Sequence, residues 1–166
     1  LRFVAKKEIF KSLTGRFLRS YGAYPVNRNG RDIEGFHWVR KMLNQDEAVV
    51  LFPEGHRSPK SGMLRATPGV ALLALHTQAP ILPVGISGTE HLESMWRVAF
   101  PTGEIRVRIG PPFTLPQVQG QMGREGLQSF ADSIMQRVSA LVPERYRGVY
   151  RLEVRQGSGE VGPDRE

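Results

Sequence analysis

"VVLFPEGHRSPKSG" (residues 49–62) begins as an apolar run and turns abruptly polar at Glu54. Residues 48–52 carry no polar interruption, which is the pattern of a strand covered on both faces. Pro53 cannot donate to a sheet ladder, so the strand is expected to end there. Glu54, Gly55, His56, Arg57 and Ser58 follow at once, with Lys60 and Arg65 close behind. An acid, a glycine and several bases thus stand just past the end of a core strand. They form either a solvated turn or one wall of a site, and the flanking sequence decides between the two.

Outward from this stretch, strands alternate with helices. "LRFVA" (residues 1–5) reads as a short strand, followed by helical patterns over 6–13 and 16–21. Residues 23–26 are strand-like, and 27–30 carry turn chemistry. Asp32 is placed to cap a helix ending near residue 44. Ile33, Phe36, Val39 and Leu43 share one face of it, and Arg40 and Lys41 lie near its negative end. Thr67 followed by Pro68 is a helix start, and the helix beyond it, to about residue 78, is apolar nearly all round. "ILPVGI" (81–86) reads as a second strand covered on both faces, whereas "EIRVRIG" (104–110) alternates like a half-exposed edge strand. An amphipathic helix over 124–141 carries Leu127, Phe130, Ile134, Val138 and Leu141. Residues 1–152 read as one domain, and 153–166 as a disordered tail without apolar pattern.

This succession predicts an α/β fold, a layered, mostly parallel sheet flanked by helices, with no internal repeat. In such sheets ligands bind beyond the carboxyl ends of the strands. "PEGHRS" lies past one such end and "NRNGR" past another, so two basic loops on one edge can converge on one anion.

Composition narrows the partner. The 166 residues, 40% hydrophobic and 23% charged, suit one globular domain. Cysteine is absent, which excludes disulfides and thiolate chemistry. The longest apolar run, residues 70–75, falls far short of the roughly 20 residues that span a bilayer. The net charge of +7 is concentrated: up to Arg31 there are eight bases and one acid, and beyond it fifteen of each. Such a region suits nucleic acid, a phosphorylated metabolite or an anionic membrane surface, or is simply a solvated basic face.

Among the chemical candidates, Arg57 and Lys60 suit a phosphate, and Glu54 can accept the hydroxyl of a phosphorylated alcohol. Gly55 permits close backbone approach or a positive φ. His56 has no carboxylate placed to orient it and reads as solvated rather than as a general base. His37 and His76 fall within helices, and His91 beside Glu90 and Glu93 lacks metal-ligand spacing, so no metal or cofactor is expected. No nucleophile elbow supports Ser58 or Ser87, and no phosphate-cradling or dinucleotide glycine motif occurs. Phe17, Tyr21 and Tyr24 among the bases partly fit a nucleic-acid surface. No nucleic-acid module is legible, however, and no nucleic-acid partner is expected.

Four stretches, in order, resemble the lysophospholipid acyltransferase family, whose best-known members are 1-acylglycerol-3-phosphate acyltransferases. They are "RFVAKKEIF" (2–10), "YGAYPVNRNGRD" (21–32), "LFPEGHRS" (51–58) and "ILPVGISGTEHL" (81–92), and the resemblance covers about residues 1–115. It implies transfer of a fatty acyl group from acyl-CoA or acyl-carrier protein to lysophosphatidate, giving phosphatidate in phospholipid synthesis. The thioester is a substrate, and no cofactor is implied. By position, the resemblance implies that Arg28 helps hold the glycerol-phosphate acceptor. Glu54, Gly55 and Arg57 would shape the acceptor site, with Arg57 on the phosphate, and Lys6 would add to phosphate binding. Pro83 and Val84 would lie near the acyl donor. His56 replaces a residue that is often Thr in the family. The lipid substrate and the basic N-terminal region together lead one to expect association with a membrane surface, on its cytoplasmic face.

One departure bears on mechanism. The family's general base is the His of an H-x-x-x-x-D motif, oriented by its Asp. Five residues past the four histidines here stand Met42, Ser61, Ile81 and Trp96. In the family the motif precedes the "FVAKKE" stretch, and this chain opens on Leu1. The expectation is therefore a fragment: an intact protein that is an enzyme, and a chain that is inactive alone. The alternative is a catalytically inactive relative that uses the same fold to dock on acidic lipid.

Overall fold

The computed structural model describes residues 1–11, 14–27, 32–56, 58, 62–90 and 103–151. Its first half is a three-stranded parallel sheet in which β1 (Arg2–Lys6) lies between β2 (Ala23–Val26) and β3 (Val49–Val50). The register sets Phe3 against both Ala23 and Val50, and Lys6 against Val26. Parallel neighbours cannot be joined by a tight turn. The β1–β2 connection therefore runs through a 3-10 turn (Lys7–Lys11) and α1 (Thr14–Ser20), and the β2–β3 connection through α2 (Ile33–Leu43).

Asp32 is the N-cap of α2, as its sequence position indicates. The helix packs on β2, where the Trp38 indole stacks on Tyr24 with ring centroids 4.5 Å apart. Val39 of the same helix is buried, but Ile33, expected on the apolar face, is 62% exposed in the first turn. β3 is shorter than its apolar run indicates. Only Val49 and Val50 are laddered, both half-buried, and Phe52 is exposed, so this strand is not covered on both faces.

The core lies between α3 (Gly69–Thr77) and α4 (Arg124–Ser139), where Ala71 and Ala131 are fully buried. Met63, Ala66, Met135, Val142 and Tyr150 complete this cluster, and Ala74, Leu115 and Ile134 form a second one beside it. Small residues at the seam let the two helices approach closely, and their lack of bulk hid them from a reading based on large apolar side chains. Pro68, not Thr67, stands at the N-cap of α3; the Thr67 hydroxyl instead donates to the Pro53 carbonyl at 3.3 Å.

β4 (Val84–Ser87) pairs antiparallel with β5 (Arg106–Ile109), separately from the parallel sheet. Gly85 and Ser87 are buried while Val84 and Ile86 are exposed, so β4 is covered on one face and not on two. Its uninterrupted apolar run concealed an ordinary alternation, because the outward positions happen to be apolar as well. Fold class is thus α/β, with the helices flanking a parallel sheet and an antiparallel pair added. The expected tail, residues 153–166, lies outside the described residues. Among the described residues no helix is long and apolar enough to cross a membrane.

Candidate functional site

Because β1, β2 and β3 are parallel, their carboxyl ends share one edge of the sheet, where ligands bind in folds of this kind. Lys6 closes β1 with its amino group 3.7 Å from Glu8 Oε1. Asn27 follows β2, and Pro53 follows β3 after the two residues Leu51 and Phe52. Arg28, Arg57 and Lys60 lie outside the described residues. Each lies in a loop whose base is tied by a carboxylate.

In the first loop a single carboxylate ties both ends. Asp32 Oδ1 accepts the Gly35 N–H at 2.7 Å, and Asp32 Oδ2 accepts the Asn27 N–H. The first contact is the cap that satisfies an otherwise unpaired helix N–H. The second draws the end of β2 against the start of α2, closing the span 28–31 at its neck. Negative charge there is also favoured by the helix dipole.

The second loop is built the same way from different parts. Phe52 to Gly55 form a β-turn in which the Gly55 N–H donates to the Phe52 carbonyl at 3.0 Å and Pro53 presets the backbone. Gly55 has φ +71°, and a Cβ there would meet only Thr67 Cγ2 at 3.9 Å, so backbone conformation and not space requires glycine. The Glu54 carboxylate then reaches across the loop. Its Oε2 accepts the Leu64 N–H at 2.7 Å, and the Ser58 hydroxyl donates to both oxygens at 2.9 and 3.0 Å. Glu54 is therefore already engaged by protein donors on both limbs of the loop. His56 is exposed beside it.

Arg65, grouped with the loop bases by sequence, is engaged by a carboxylate of its own. Its guanidinium meets Asp132 on α4, with Nη2 2.6 Å from Oδ2. Asp132 also accepts from Gln128 Nε2 at 3.0 Å and from the Tyr150 hydroxyl at 2.9 Å. The Arg65 bond holds the Asp132 carboxyl below its usual range against the opposing effect of burial, with Gln128 and Tyr150 assisting. Burial pushes the Tyr150 hydroxyl up to about 12, and the adjoining Asp132 carboxylate acts in the same direction. Gln128, Asp132 and Tyr150 carried no sequence signal. Tyr150 stands 84 positions from Ala66, whose N–H it accepts at 2.9 Å.

Pro83 is buried beside the antiparallel pair, where its carbonyl accepts the Gly110 N–H at 3.0 Å, and Val84 opens β4's exposed face. Val84 belongs to, and Pro83 adjoins, a ladder separate from the one whose strands end in Lys6, Val26 and Val50. Among the described residues no cluster of acids and histidines could hold a metal ion.

Residues 1–87 match the model of the protein family described as Acyltransferase. The chain is 27% identical over 142 residues to the 1-acyl-sn-glycerol-3-phosphate acyltransferase of Bacillus subtilis, covering 85% of this chain and 68% of that protein. It is 35% identical over 74 residues to the human 1-acyl-sn-glycerol-3-phosphate acyltransferase alpha, covering 45% of this chain and 26% of the relative. The crystal structure of the 1-acyl-sn-glycerophosphate acyltransferase PlsC from Thermotoga maritima superimposes with a TM-score of 0.57 at 24% identity, covering 84% of this chain and 55% of that one. At that identity the likeness speaks for the fold alone. The chain thus spans about half of the Thermotoga protein and about a quarter of the human one.

Proposed function

The chain belongs to the acyltransferase family, and on that footing we propose that it forms the acceptor-binding part of a 1-acylglycerol-3-phosphate acyltransferase. The acceptor's phosphate binds at the carboxyl edge of the parallel sheet, against Arg28, Arg57 and Lys6. Its free hydroxyl oxygen attacks the carbonyl carbon of an acyl thioester. A C–O ester bond forms, the C–S bond breaks, a base takes the hydroxyl proton, and the thiol of coenzyme A or of a carrier protein leaves. None of the chain's histidines stands five residues before an aspartate, so the family's general base is not among these residues. On this reading the chain contributes acceptor binding, and proton transfer is contributed from elsewhere. The lipid acceptor places the work at a membrane surface, and the basic first 31 residues draw it to an anionic cytoplasmic leaflet.

One observation carries the proposal. Asp32 and Glu54, the acids inside the two basic loops, are both engaged at the loop bases by backbone or hydroxyl donors. Neither acid is spent on a base among the described residues, and the two loop segments carry Arg28, Arg31, Arg57 and Lys60 in sequence, the excess of positive charge that a phosphate ester needs.

Titration of the chain with a short-chain lysophosphatidate tests this. Binding is expected to saturate, to vanish for a monoacylglycerol lacking the phosphate, and to weaken at least about tenfold in Arg57→Ala, which removes a charge-assisted bond. Affinity indifferent both to the phosphate and to Arg57 would refute it. Turnover is read separately as thiol release by a fusion that places an H-x-x-x-x-D segment ahead of this chain. Phosphate-dependent binding there without thiol release favours the non-enzymatic lipid-docking alternative.

A further inference from the structure

The limb that returns from the second loop, residues 62–67, has no regular secondary structure, yet Gly62, Met63 and Ala66 are buried. Buried backbone groups need partners. Here those partners come from two sides. On one side is the motif turn: Glu54 Oε2 accepts the Leu64 N–H at 2.7 Å and the Pro53 carbonyl accepts the Thr67 N–H at 2.9 Å. On the other is a C-terminal seat, made by the 3-10 turns Glu144–Tyr146 and Gly148–Tyr150 together with α4. The Met63 N–H donates to the Tyr146 carbonyl at 2.9 Å, and the Val149 N–H donates to the Met63 carbonyl at 3.1 Å. Ala66 is held by two side chains: its N–H donates to the Tyr150 oxygen at 2.9 Å, and its carbonyl accepts from Gln128 at 3.0 Å. A Cβ on Gly62 would stand 2.6 Å from the Gly148 nitrogen, so limb and seat are in direct backbone contact.

Each half of this arrangement needs the other. Glu54 can fix the turn only if Leu64 is itself fixed, and the groups flanking Leu64 are fixed by the seat. The Tyr150 hydroxyl is the pivot, because it accepts from Ala66 and donates to Asp132 Oδ1 at 2.9 Å, while Arg65 and Gln128 lock that carboxylate in place. The seat lies beyond residue 87, where the family match ends.

We propose that Tyr150 and Asp132 are positioning residues for the acceptor's phosphate: through Ala66 and Leu64 they hold Glu54, and with it the loop that carries Arg57. This rests on the reading of Arg57 as a phosphate ligand. Neither residue touches the acceptor.

Tyr150→Phe tests it, since the ring stays to fill the core while the hydroxyl is lost. Two measurements separate the possibilities. Amide exchange at Leu64 and Ala66 is expected to quicken about tenfold while α3 and α4 keep their protection, and affinity for short-chain lysophosphatidate is expected to fall about tenfold. In an Arg57→Ala background the same change is expected to add less than about threefold, because the ligand that the loop is held to position is then gone. Asp132→Asn, which keeps an oxygen for the Tyr150 hydroxyl, is expected to lose less than Tyr150→Phe. Unchanged exchange at Leu64 and Ala66 overturns the proposal, as does an affinity loss fully additive with Arg57→Ala. Should Arg57→Ala alone leave affinity untouched, the phosphate reading fails, and the exchange data alone decide whether Tyr150 seats the loop.

Discussion

Glu54 offers the sharpest separation between holding a loop and holding a ligand. In Glu54→Ala the Leu64 N–H and the Ser58 hydroxyl lose a charged acceptor bonded at 2.7 to 3.0 Å. Hydrogen bonds to a charged group contribute about 1.5–3 kcal/mol each where water is largely excluded. Ser58 is exposed and Leu64 half-buried, so the Ser58 contribution is discounted and that of Leu64 dominates. The closed loop is therefore destabilised by about 2 kcal/mol, or about 30-fold in its closed-to-open ratio. Acceptor affinity falls by the fraction of loops left open, and so by no more than this factor. Glu54→Gln keeps an oxygen for the Leu64 N–H, and its cost is expected to stay below about 1 kcal/mol. The assay is calorimetric titration of both variants with short-chain lysophosphatidate, alongside exchange of the Leu64 amide. The expected order is wild type, then Gln close behind, then Ala far weaker, with Leu64 exchange following the same order. Equal loss in Gln and Ala, with Leu64 exchange unchanged in both, would refute the loop role and put the carboxylate on the ligand.

The first loop gives a parallel case. Asp32→Ala removes the cap on Gly35 and the tie to Asn27, and is expected to cost about 1–2 kcal/mol and lower Tm by about 3–6 °C, whereas Asp32→Asn should retain most of the stability; equal Tm values for Ala and Asn would contradict this. Alkaline pH probes the seat. Tyr150 has its pKa raised to about 12 from an ordinary value of 10.0, so above pH 10 the unfolded chain releases this proton while the folded one keeps it. Its contribution is complete below pH 10 and lost as pH rises toward 12. Denaturant unfolding across that window should show a steeper fall for wild type than for Tyr150→Phe; parallel curves would contradict it.

The parts of the fold that were legible are those where local chemistry dictates local structure. Asp32 ahead of an amphipathic run caps the helix it precedes, and Pro53 with Gly55 makes the turn that their residue types favour, although β3 already stops at Val50. The errors arose where burial is decided by distant chain. The apolar runs at 48–52 and 81–86 look alike from either face, and only the packed structure shows that Phe52, Val84 and Ile86 face outward. The loops past β2 and β3 could be placed on one edge from the order of elements alone. That Glu54 binds Leu64, or that Arg65 binds Asp132 67 positions away, is set by tertiary pairing that no spacing rule encodes.

The contrast between Asp132 and the loop acids Asp32 and Glu54 has a physical basis. A carboxylate among bases can act on the chain or on the bases themselves. Asp132 takes the Arg65 guanidinium head directly through Nε and Nη2, raising its pKa and offsetting its charge, so Arg65 offers less to an anion than an unpaired base would. Asp32 and Glu54 are instead engaged by backbone N–H groups and a hydroxyl. Their negative charge still relieves the repulsion that builds when basic loops are drawn together, which at a few ångströms amounts to about 1–4 kcal/mol per pair near a protein surface. A loop base tied to a backbone N–H holds without a ligand, so binding does not have to order that base first. A loop closed on a guanidinium would have to break that pair before a phosphate could enter. Exchanging the two arrangements, with Arg65 freed by Asp132→Ala, would therefore not create a better phosphate site. It would loosen the seat, because Gln128 and Tyr150 would lose the carboxylate they share.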